Sequence, residues 1–477
     1  MKKKQLSDEI RSWGYRIVDR IADYYEHIEE YPVRSQVEPG DLLKQLPSEA
    51  PLQGESLEQI LQDFDRMILP GITHWQSPKF FAYFPANSSL PSLLGEMLTA
   101  AIGAQCMKWE TSPAAAELEQ RMMEWLRNLA GLPSFFEGVI QDSASSSTLC
   151  AILTAREKYS GWNINASGFS GKPVYRVYCS EEAHSSVEKA VKIAGIGREN
   201  LVKLPVDEAY RLDPAALKEA IVKDRTMGYT PLCVVVALGT TGSTAIDPLP
   251  EVADICSKEN IWLHVDAAMA GSALILPEYR WMIHGMEKAD SIVFNPHKWL
   301  FTNFDCSAYY VKDRAALVNT FAILPEYLRT RVQGKVNDYS DWGIPLGRRF
   351  RALKLWFVLR YYGLEGLQQR LREHISMAAW FENMLRNDPC FEILAPRTMN
   401  LVCFRLHSTT AGDEDELNRI NERLLQEINK TGKIYLSHTK LKGRYTLRLV
   451  VGQTYTEQRH VEEAWEVIRS IAKQLTA

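Results

Sequence analysis

The chain has 477 residues, too many for one compact core, and this length predicts two or three domains. Its 46% hydrophobic and 24% charged residues are typical of a globular protein, and its formal net charge of -4 argues against nucleic acid or an anionic membrane as a partner. The eight cysteines form no C-x-x-C pair, and no apolar run suits a signal peptide or a membrane span, so we expect a cytoplasmic protein.

The first region, residues 1–85, is predicted to be a helical domain that packs on the body of the molecule or on a partner subunit. Ser7 is expected to cap its first helix, because Asp8 and Glu9 suit the positive end of a helix dipole. The apolar residues that follow recur at helical spacing: Ile10, Trp13, Ile17, Ile21 and Tyr24. A second helical pattern covers residues 56–67 and ends before Pro70.

The second region, residues 86–375, is predicted to be a large α/β domain. Short apolar runs alternate there with helical stretches such as residues 187–194 and 214–222. The runs are continuously apolar, which is typical of a mainly parallel sheet that is covered on both faces. They are residues 174–179, 201–206, 233–238, 261–265, 291–294 and 307–311.

The third region, residues 376–477, is predicted to be a small α+β domain. Its strand-like runs are residues 400–406 and 445–450, and a closing helix is expected over residues 457–475. It would follow a helix that covers residues 367–385.

Polar residues follow three strands of the predicted large sheet. Asp266 ends one strand, Lys298 comes shortly after the next, and the segment 239–242 ends the strand before both. Ligands of such sheets bind at the carboxyl ends of the strands, although the carboxylate and the lysine alone could form a simple ion pair.

A fourth element makes a ligand site the better interpretation. The serine-rich segment 143–148 leads into a helical pattern, and hydroxyl and N–H groups at a helix start are suited to phosphate. The same segment alone could be an ordinary helix cap. Together with Lys298 and Asp266 it supplies what pyridoxal phosphate (PLP) requires, namely an amine for the Schiff base, a partner for the pyridine nitrogen and a phosphate cradle.

With these residues in place, the sequence resembles the group II PLP-dependent decarboxylases of fold type I, specifically the aromatic-L-amino-acid (DOPA) decarboxylases. The resemblance runs from Gly14 to the last domain. Its most specific segments are residues 295–300, 303–307 and 342–351, and further matches are residues 80–85, 138–141, 183–187 and 262–268.

The resemblance implies roles for individual residues. Lys298 would form the Schiff base, Asp266 would keep the pyridine nitrogen protonated, and His184 would stack on the ring. Gly347 would reach the phosphate from the neighbouring subunit, which implies a homodimer with its active sites at the interface. The other implied cofactor contacts are Ala144, Ser145, Thr241, Ala268, Asn295 and His297.

The outcome of the reaction is implied by one tyrosine. In the family the segment before Pro345 is a lid, and its tyrosine returns a proton to the substrate carbon after CO₂ has left. Relatives that make aldehydes typically carry phenylalanine there, whereas this chain has Tyr327. Simple decarboxylation to the amine is therefore expected.

The substrate class is implied by the aromatic segment 75–86. The resemblance favours Trp75, Tyr83, Phe84, Ala86 and His184 as contacts to the substrate, and aromatic surface suits a flat ring. Ala86 replaces a threonine that the family associates with a ring hydroxyl. DOPA, tryptophan, tyrosine and phenylalanine therefore all remain open as substrates.

Two further departures, Asp142 in place of glycine and Met269 in place of tyrosine, resemble bacterial members of the family.

Rival interpretations are an oxidative aldehyde synthase and a decarboxylase of acidic or small amino acids. An acidic substrate would need a cationic pocket for its side chain, and the aromatic segment does not offer one. A hydrolase using Ser143 or Ser145 with His184 and Asp266 would lack the G-x-S-x-G turn, and a cofactor-free binding protein would not need Lys298. No H-E-x-x-H motif or P-loop is present, so no metal is expected.

Overall fold

The computed structural model describes residues 3–323, 335–407 and 413–476 of the chain. The helices within these residues are α1 (Lys3–Glu26), α2 (Asp41–Gln45), α3 (Leu57–Asp63), α4 (Leu90–Ile102), α5 (Pro113–Leu129), α6 (Ala144–Tyr159), α7 (Ile164–Ser167), α8 (Ser186–Ile193), α9 (Pro214–Thr226), α10 (Leu249–Glu259), α11 (Pro296–Trp299), α12 (Arg314–Phe321), α13 (Arg351–Arg386), α14 (Glu414–Lys430) and α15 (Gln458–Thr476). The strands are β1 (Glu137–Gln141), β2 (Tyr175–Ser180), β3 (Leu201–Leu204), β4 (Thr230–Ala237), β5 (Trp262–Asp266), β6 (Ser291–Phe294), β7 (Ser307–Val311), β8 (Phe391–Ile393), β9 (Leu401–Leu406), β10 (Ser437–Leu441) and β11 (Arg444–Val450).

The amino-terminal region is helical, but α1 does not begin where the sequence suggested. It begins at Lys3, so Ser7 lies inside the helix and the prediction that Ser7 caps it was wrong. The residues before Ser7 include good helix formers and no breaker, so the helix extends through them. Ser56, in contrast, caps α3: its hydroxyl accepts from the Gln59 N–H, and the Gln59 side chain bonds back to the Ser56 N–H.

The predicted α/β fold with a mainly parallel sheet is confirmed. Within the described residues the sheet has seven strands in the order β1-β7-β6-β5-β4-β2-β3, and β7 runs antiparallel to both of its neighbours. The central strands β2, β4, β5 and β6 are parallel to one another. Strand β1, which the apolar pattern did not reveal, forms one edge of this sheet.

Both faces of the sheet are buried, which explains its continuously apolar strands. In β4, Val234 and Val236 belong to the hydrophobic core on one face, whereas Cys233 and Val235 belong to the core on the other. Because successive side chains of a strand point to opposite faces, apolar residues are favoured at successive positions of such a strand.

The last part of the chain forms a second, antiparallel sheet with the order β10-β11-β9-β8. Helix α13 leads into it and is interrupted at Gly363, whose φ of 64° lies in the left-handed region. Strands β8 and β10 were not predicted, because β8 has only three residues and β10 is largely polar. No helix in the described ranges has the length and hydrophobicity needed to cross a membrane.

Candidate functional site

The carboxyl ends of three neighbouring strands, β4, β5 and β6, meet at one edge of the large sheet and open into a cavity of about 190 Å³. Asp266 is the last residue of β5 and pairs with Ala237 of β4 and Val293 of β6, so it lies at the middle of this edge. The cavity is lined by Phe84, Ser143, Ala144, Ser145, His184, Ala237, Gly239, Thr240, Thr241, Asp266, Ala268, Met269, Asn295, His297, Lys298 and Phe304.

Lys298 lies on the single-turn helix α11, which begins directly after β6 and Asn295. Its Nζ lies 5.4 Å from the centre of the Phe84 ring. Burial of the ammonium lowers the pKa of Lys298, the carboxylate of Asp266 opposes this shift, and the nearby Arg448 adds to it. A lowered pKa increases the neutral fraction of the amine, which is the nucleophilic form.

Asp266 is fixed by the turn that follows its strand. Its Oδ1 accepts a hydrogen bond from the Ala268 N–H at 3.0 Å. Two residues earlier, the buried His264 is held by Thr148 Oγ1 at 3.2 Å and by Ser291 Oγ at 2.9 Å. Burial lowers the pKa of His264 to about 4, so its ring is neutral beside the carboxylate.

His184 lies in the loop between β2 and α8. Its Nδ1 accepts from the Ser186 N–H at 3.1 Å, so the neutral ring carries its proton on Nε2. Burial lowers the pKa of His184, and the positive charge of Lys298 adds to this, whereas Asp266 opposes it. The ring therefore lines the cavity as a neutral hydrogen-bond donor and a flat surface.

The start of helix α6 supplies a second group of donors. Ser143 caps the helix, because its Oγ accepts from the Ser146 N–H at 3.3 Å and its carbonyl accepts from the Ser147 N–H. The N–H groups of Ala144 and Ser145, in the first turn, have no intrahelical acceptor and border the cavity. A helix start of this kind is suited to a phosphate group.

Asn295 and His297 complete this donor set. Asn295 Oδ1 accepts from Ser307 Oγ at 2.6 Å, and His297 Nδ1 accepts from the Cys306 N–H at 2.9 Å. Burial lowers the pKa of His297 to about 3, so its ring is neutral and presents Nε2–H as a donor. The cavity thus combines hydrogen-bond donors suited to a phosphate with an amine and a carboxylate, which fits PLP.

The conserved-domain model of the pyridoxal-dependent decarboxylases matches residues 39–407. The chain belongs to this family. It is therefore a PLP-dependent carboxy-lyase, as its sequence predicted. Phenylacetaldehyde synthase of Arabidopsis thaliana is 47% identical over 483 residues, which cover 99% of this chain and 98% of that protein. Aromatic-L-amino-acid decarboxylase of Rattus norvegicus is 46% identical and covers 98% of each chain.

The fold agrees with this assignment. A crystal structure of Oryza sativa TDC with PLP and tryptamine superposes with a TM-score of 0.95 at 37% identity and covers 98% of this chain and 99% of that one. The relatives include both aromatic amino-acid decarboxylases and aldehyde synthases, and the chain falls within this group of PLP enzymes.

In this family member, most residues predicted to bind the cofactor line the cavity, but four other predicted site residues do not. Trp75 stacks on Phe80 at 4.4 Å, and Tyr83 places its hydroxyl 3.2 Å from that of Tyr435. The carbonyl of Ala86 accepts from Gln76, and Gly347 is exposed beside Gln105. Tyr327 lies outside the described residues. The roles predicted for these residues remain predictions.

Several residues of the cavity were not recognised in the sequence. Gly239 has a φ of 88°, and a Cβ there would lie 2.8 Å from that of Ala270, so the turn after β4 requires glycine. Thr240 follows in the same turn. Phe304 packs on the His297 ring at 4.6 Å. All three lie in segments that had been singled out, at strand ends or in matching motifs, so their positions were indicated although their contacts were not.

Proposed function

We propose that the protein decarboxylates aromatic L-amino acids of the DOPA, tryptophan, tyrosine and phenylalanine class to the corresponding amine and CO₂. The observation that carries this proposal is the position of Phe84, whose ring faces the Lys298 amine inside the cavity. The substrate nitrogen must take the place of that amine, so the substrate side chain is bound next to an aromatic surface.

The residues of the cavity divide the work of holding the cofactor and the substrate. When bound, PLP accepts the electron pair that the departing CO₂ leaves behind. Lys298 supplies the amine that anchors the cofactor, and Asp266 holds the proton at the pyridine nitrogen. His184 supports the ring from one face. The start of α6, with Asn295 and His297, holds the phosphate.

The last step is a proton transfer to the substrate carbon, and we propose that Tyr327 donates this proton. Support comes from the sequence resemblance alone, because Tyr327 lies outside the described residues. A buried cavity favours the step, since excluding water protects a reactive carbon from other reactions.

A second candidate function is oxidative formation of an aldehyde. It is favoured by the 47% identity to a phenylacetaldehyde synthase over nearly the whole chain. Both reactions release CO₂ and they differ in their other products: the decarboxylase releases an amine, whereas the synthase consumes O₂ and water and releases an aldehyde, ammonia and hydrogen peroxide. Tyr327 favours the amine, because the resemblance associates aldehyde formation with phenylalanine at this position.

Product analysis separates these functions. The protein, supplied with PLP, is incubated separately with DOPA, tryptophan, tyrosine, phenylalanine and glutamate. We expect amine and CO₂ from at least one aromatic substrate and nothing from glutamate. Aldehyde as the main product would replace the first candidate by the second, and turnover of glutamate alone would refute both.

The variant Tyr327→Phe tests the proton donor. We expect it to divert product from amine towards aldehyde and ammonia. Tyr361→Phe, an exposed tyrosine of α13, is the matched control and should leave the product unchanged. An unchanged amine yield in Tyr327→Phe would remove the residue from this role.

We further propose a cytoplasmic homodimer in which residues 1–85 pack on the partner and Gly347 reaches the neighbouring cofactor. Support comes from α1, which has no buried residue in the single chain and exposes Ile10 and Tyr15 by 62% and 68%. An apolar helix face of this kind is stable when another surface covers it. Sedimentation of the purified protein tests the dimer, and a monomer at micromolar concentration would refute it.

A further inference from the structure

The turn that carries Lys298 cannot hold its own backbone in place. Helix α11 has only four residues, Pro296–Trp299, and the last four carbonyl groups of a helix have no donor within that helix. The carbonyls of His297 and Lys298 belong to this set, so they require donors from another part of the chain. The group that supplies these donors also sets the position from which the Lys298 side chain extends into the cavity.

Asn87 supplies both donors. Its backbone N–H donates to the His297 carbonyl at 3.0 Å, and its side-chain Nδ2 donates to the Lys298 carbonyl at 2.5 Å. Only 1% of Asn87 is exposed, so bulk water does not compete for these bonds. Because the two bonds reach adjacent carbonyls, they fix both the position and the direction of the backbone at Lys298.

The segment that contains Asn87 also holds the rest of the turn. Ser89 Oγ donates to the Phe301 carbonyl at 2.6 Å, and Ser92 Oγ accepts from the Asn303 N–H at 2.6 Å. Both serines contact the turn after the lysine. Among these three residues, Asn87 is the one that binds the backbone of the lysine itself.

The side chain of Asn87 also contacts the second domain. Its Nδ2 donates to the Gly452 carbonyl at 2.8 Å, and its Oδ1 accepts from the N–H and from the hydroxyl of Thr454, each at 2.9 Å. A side-chain amide has two donor and two acceptor sites, and all four are used here. Asn87 therefore joins the lysine turn to the segment that follows β11, and Phe84, three residues before it, lines the cavity.

We propose that Asn87 is a positioning residue that holds Lys298 at the cofactor. This inference rests on the proposed role of Lys298 as the cofactor anchor and adds the residue that fixes the anchor. A group that is held in place acts at an effective concentration that depends on how firmly it is held. If the turn is loosened, this concentration falls, and a free amine in solution displaces Lys298 from the cofactor more easily.

Methylamine measures this competition in the PLP-loaded protein. Its nitrogen bonds to the cofactor carbon that the lysine nitrogen releases, and the lysine leaves as the free amine. Methylamine has neither a ring nor a carboxylate, so its binding does not depend on the contact with Phe84. Sodium borohydride then reduces whichever carbon–nitrogen double bond is present, and the intact mass of the protein gives the fraction of chains that still carry the cofactor.

Two variants of Asn87 should shift this competition. In Asn87→Ala we expect the methylamine concentration that displaces half of the lysine to fall about 5- to 10-fold, the scale of one lost hydrogen bond. Asn87→Asp has nearly the same size, keeps the acceptor for Thr454 and loses the two amide donors. We expect a similar fall there, and this variant still tests the inference if Asn87→Ala does not fold.

Asn421→Ala is the matched control, because Asn421 is fully buried and its amide also binds only backbone groups of the protein. These groups belong to Leu406 and Leu417 of the second domain, away from the lysine turn. We expect the control to lower the thermal midpoint and to leave the methylamine concentration within about twofold of the wild type. An unchanged or higher concentration in both Asn87 variants would overturn the inference, as would an equal fall in Asn421→Ala.

Failure of the proposed function would look different. If the wild-type protein exchanged Lys298 for methylamine but decarboxylated no aromatic amino acid, the reaction would be wrong while the role of Asn87 could still be measured. If peptide mapping of the reduced wild type placed the cofactor on another lysine, the anchor would be wrong and the inference would be overturned with it.

Discussion

The carboxyl edge of the large sheet and the aromatic segment 75–86 were both predicted to form the active site, and the structure treats them differently. At the sheet edge, the residues predicted to bind the cofactor, except Gly347, line one cavity. In the aromatic segment, only Phe84 reaches that cavity, whereas Trp75 and Tyr83 pack against neighbouring aromatic rings.

The difference has a simple physical origin. Parallel neighbouring strands bring their carboxyl ends together, so a residue that follows such a strand is placed by the topology of the sheet. A residue in an irregular segment is placed by whatever surface it packs on, and an aromatic side chain gains as much from packing on another ring as from lining a pocket. The sequence therefore predicts the residues that bind the cofactor better than the residues that contact the substrate.

The largest effect is expected at the sheet edge. Lys298→Ala removes the amine that anchors the cofactor, and we expect the visible cofactor absorbance to disappear and decarboxylation to fall by at least about 1000-fold. Lys312→Ala, at an exposed lysine that follows β7, is the control and should retain both properties. A purified Lys298→Ala protein that keeps the visible band would place the anchor elsewhere.

A smaller effect is expected in the aromatic segment. Two variants compare Phe84, which lines the cavity, with Trp75, which does not. Phe84→Leu should raise KM for aromatic substrates about 10-fold, the scale of one altered apolar contact in a pocket. Trp75→Leu should lower the free energy of unfolding by about 1–2 kcal/mol, because it loses the stacking on Phe80. The two effects are measured by steady-state kinetics and by urea unfolding.

The same pair of variants tests the predicted contact between Trp75 and the substrate. If Trp75→Leu raises KM as much as Phe84→Leu does, Trp75 also contacts a substrate. Because Trp75 does not line the cavity of its own chain, that substrate must be bound in the cavity of a partner subunit. If KM is unchanged, Trp75 contacts only its aromatic neighbours, and the substrate contact that the resemblance implied for Trp75 is wrong.

Much of the fold followed from the sequence, because the strands of the large sheet are short, continuously apolar and separated by helices. Partnerships between distant residues did not follow. Arg405 and Arg448 each interrupt an apolar strand, β9 and β11, and their local sequences look alike. Only the folded chain shows that Arg405 is paired with glutamates, whereas Arg448 has no such partner among the residues that the structure describes.

The burial of individual histidines was also not predicted from the sequence, and one of them gives the smallest predicted effect. His374 of α13 is buried and accepts a hydrogen bond from the Trp299 indole N–H at 3.0 Å, directly beneath the helix that carries Lys298. Burial lowers the pKa of His374 to about 3, against 6.5 for an unperturbed histidine. Below pH 6.5, His374 therefore binds a proton in the unfolded chain but stays neutral in the native protein. The contribution of His374 to the free energy of unfolding is fully present only well above pH 6.5, and it is lost progressively as the pH falls towards about 3.

The variant His374→Gln isolates this contribution, because glutamine can still accept from the indole but does not titrate. Between pH 7.5 and pH 5.5 we expect the wild type to lose about 1.4 kcal/mol of unfolding free energy through this one residue, and the variant to be spared that loss. Urea unfolding at the two pH values measures the difference, and His27→Gln, at an exposed histidine, is the control. An equal loss in wild type and in His374→Gln would mean that His374 is protonated in the native protein.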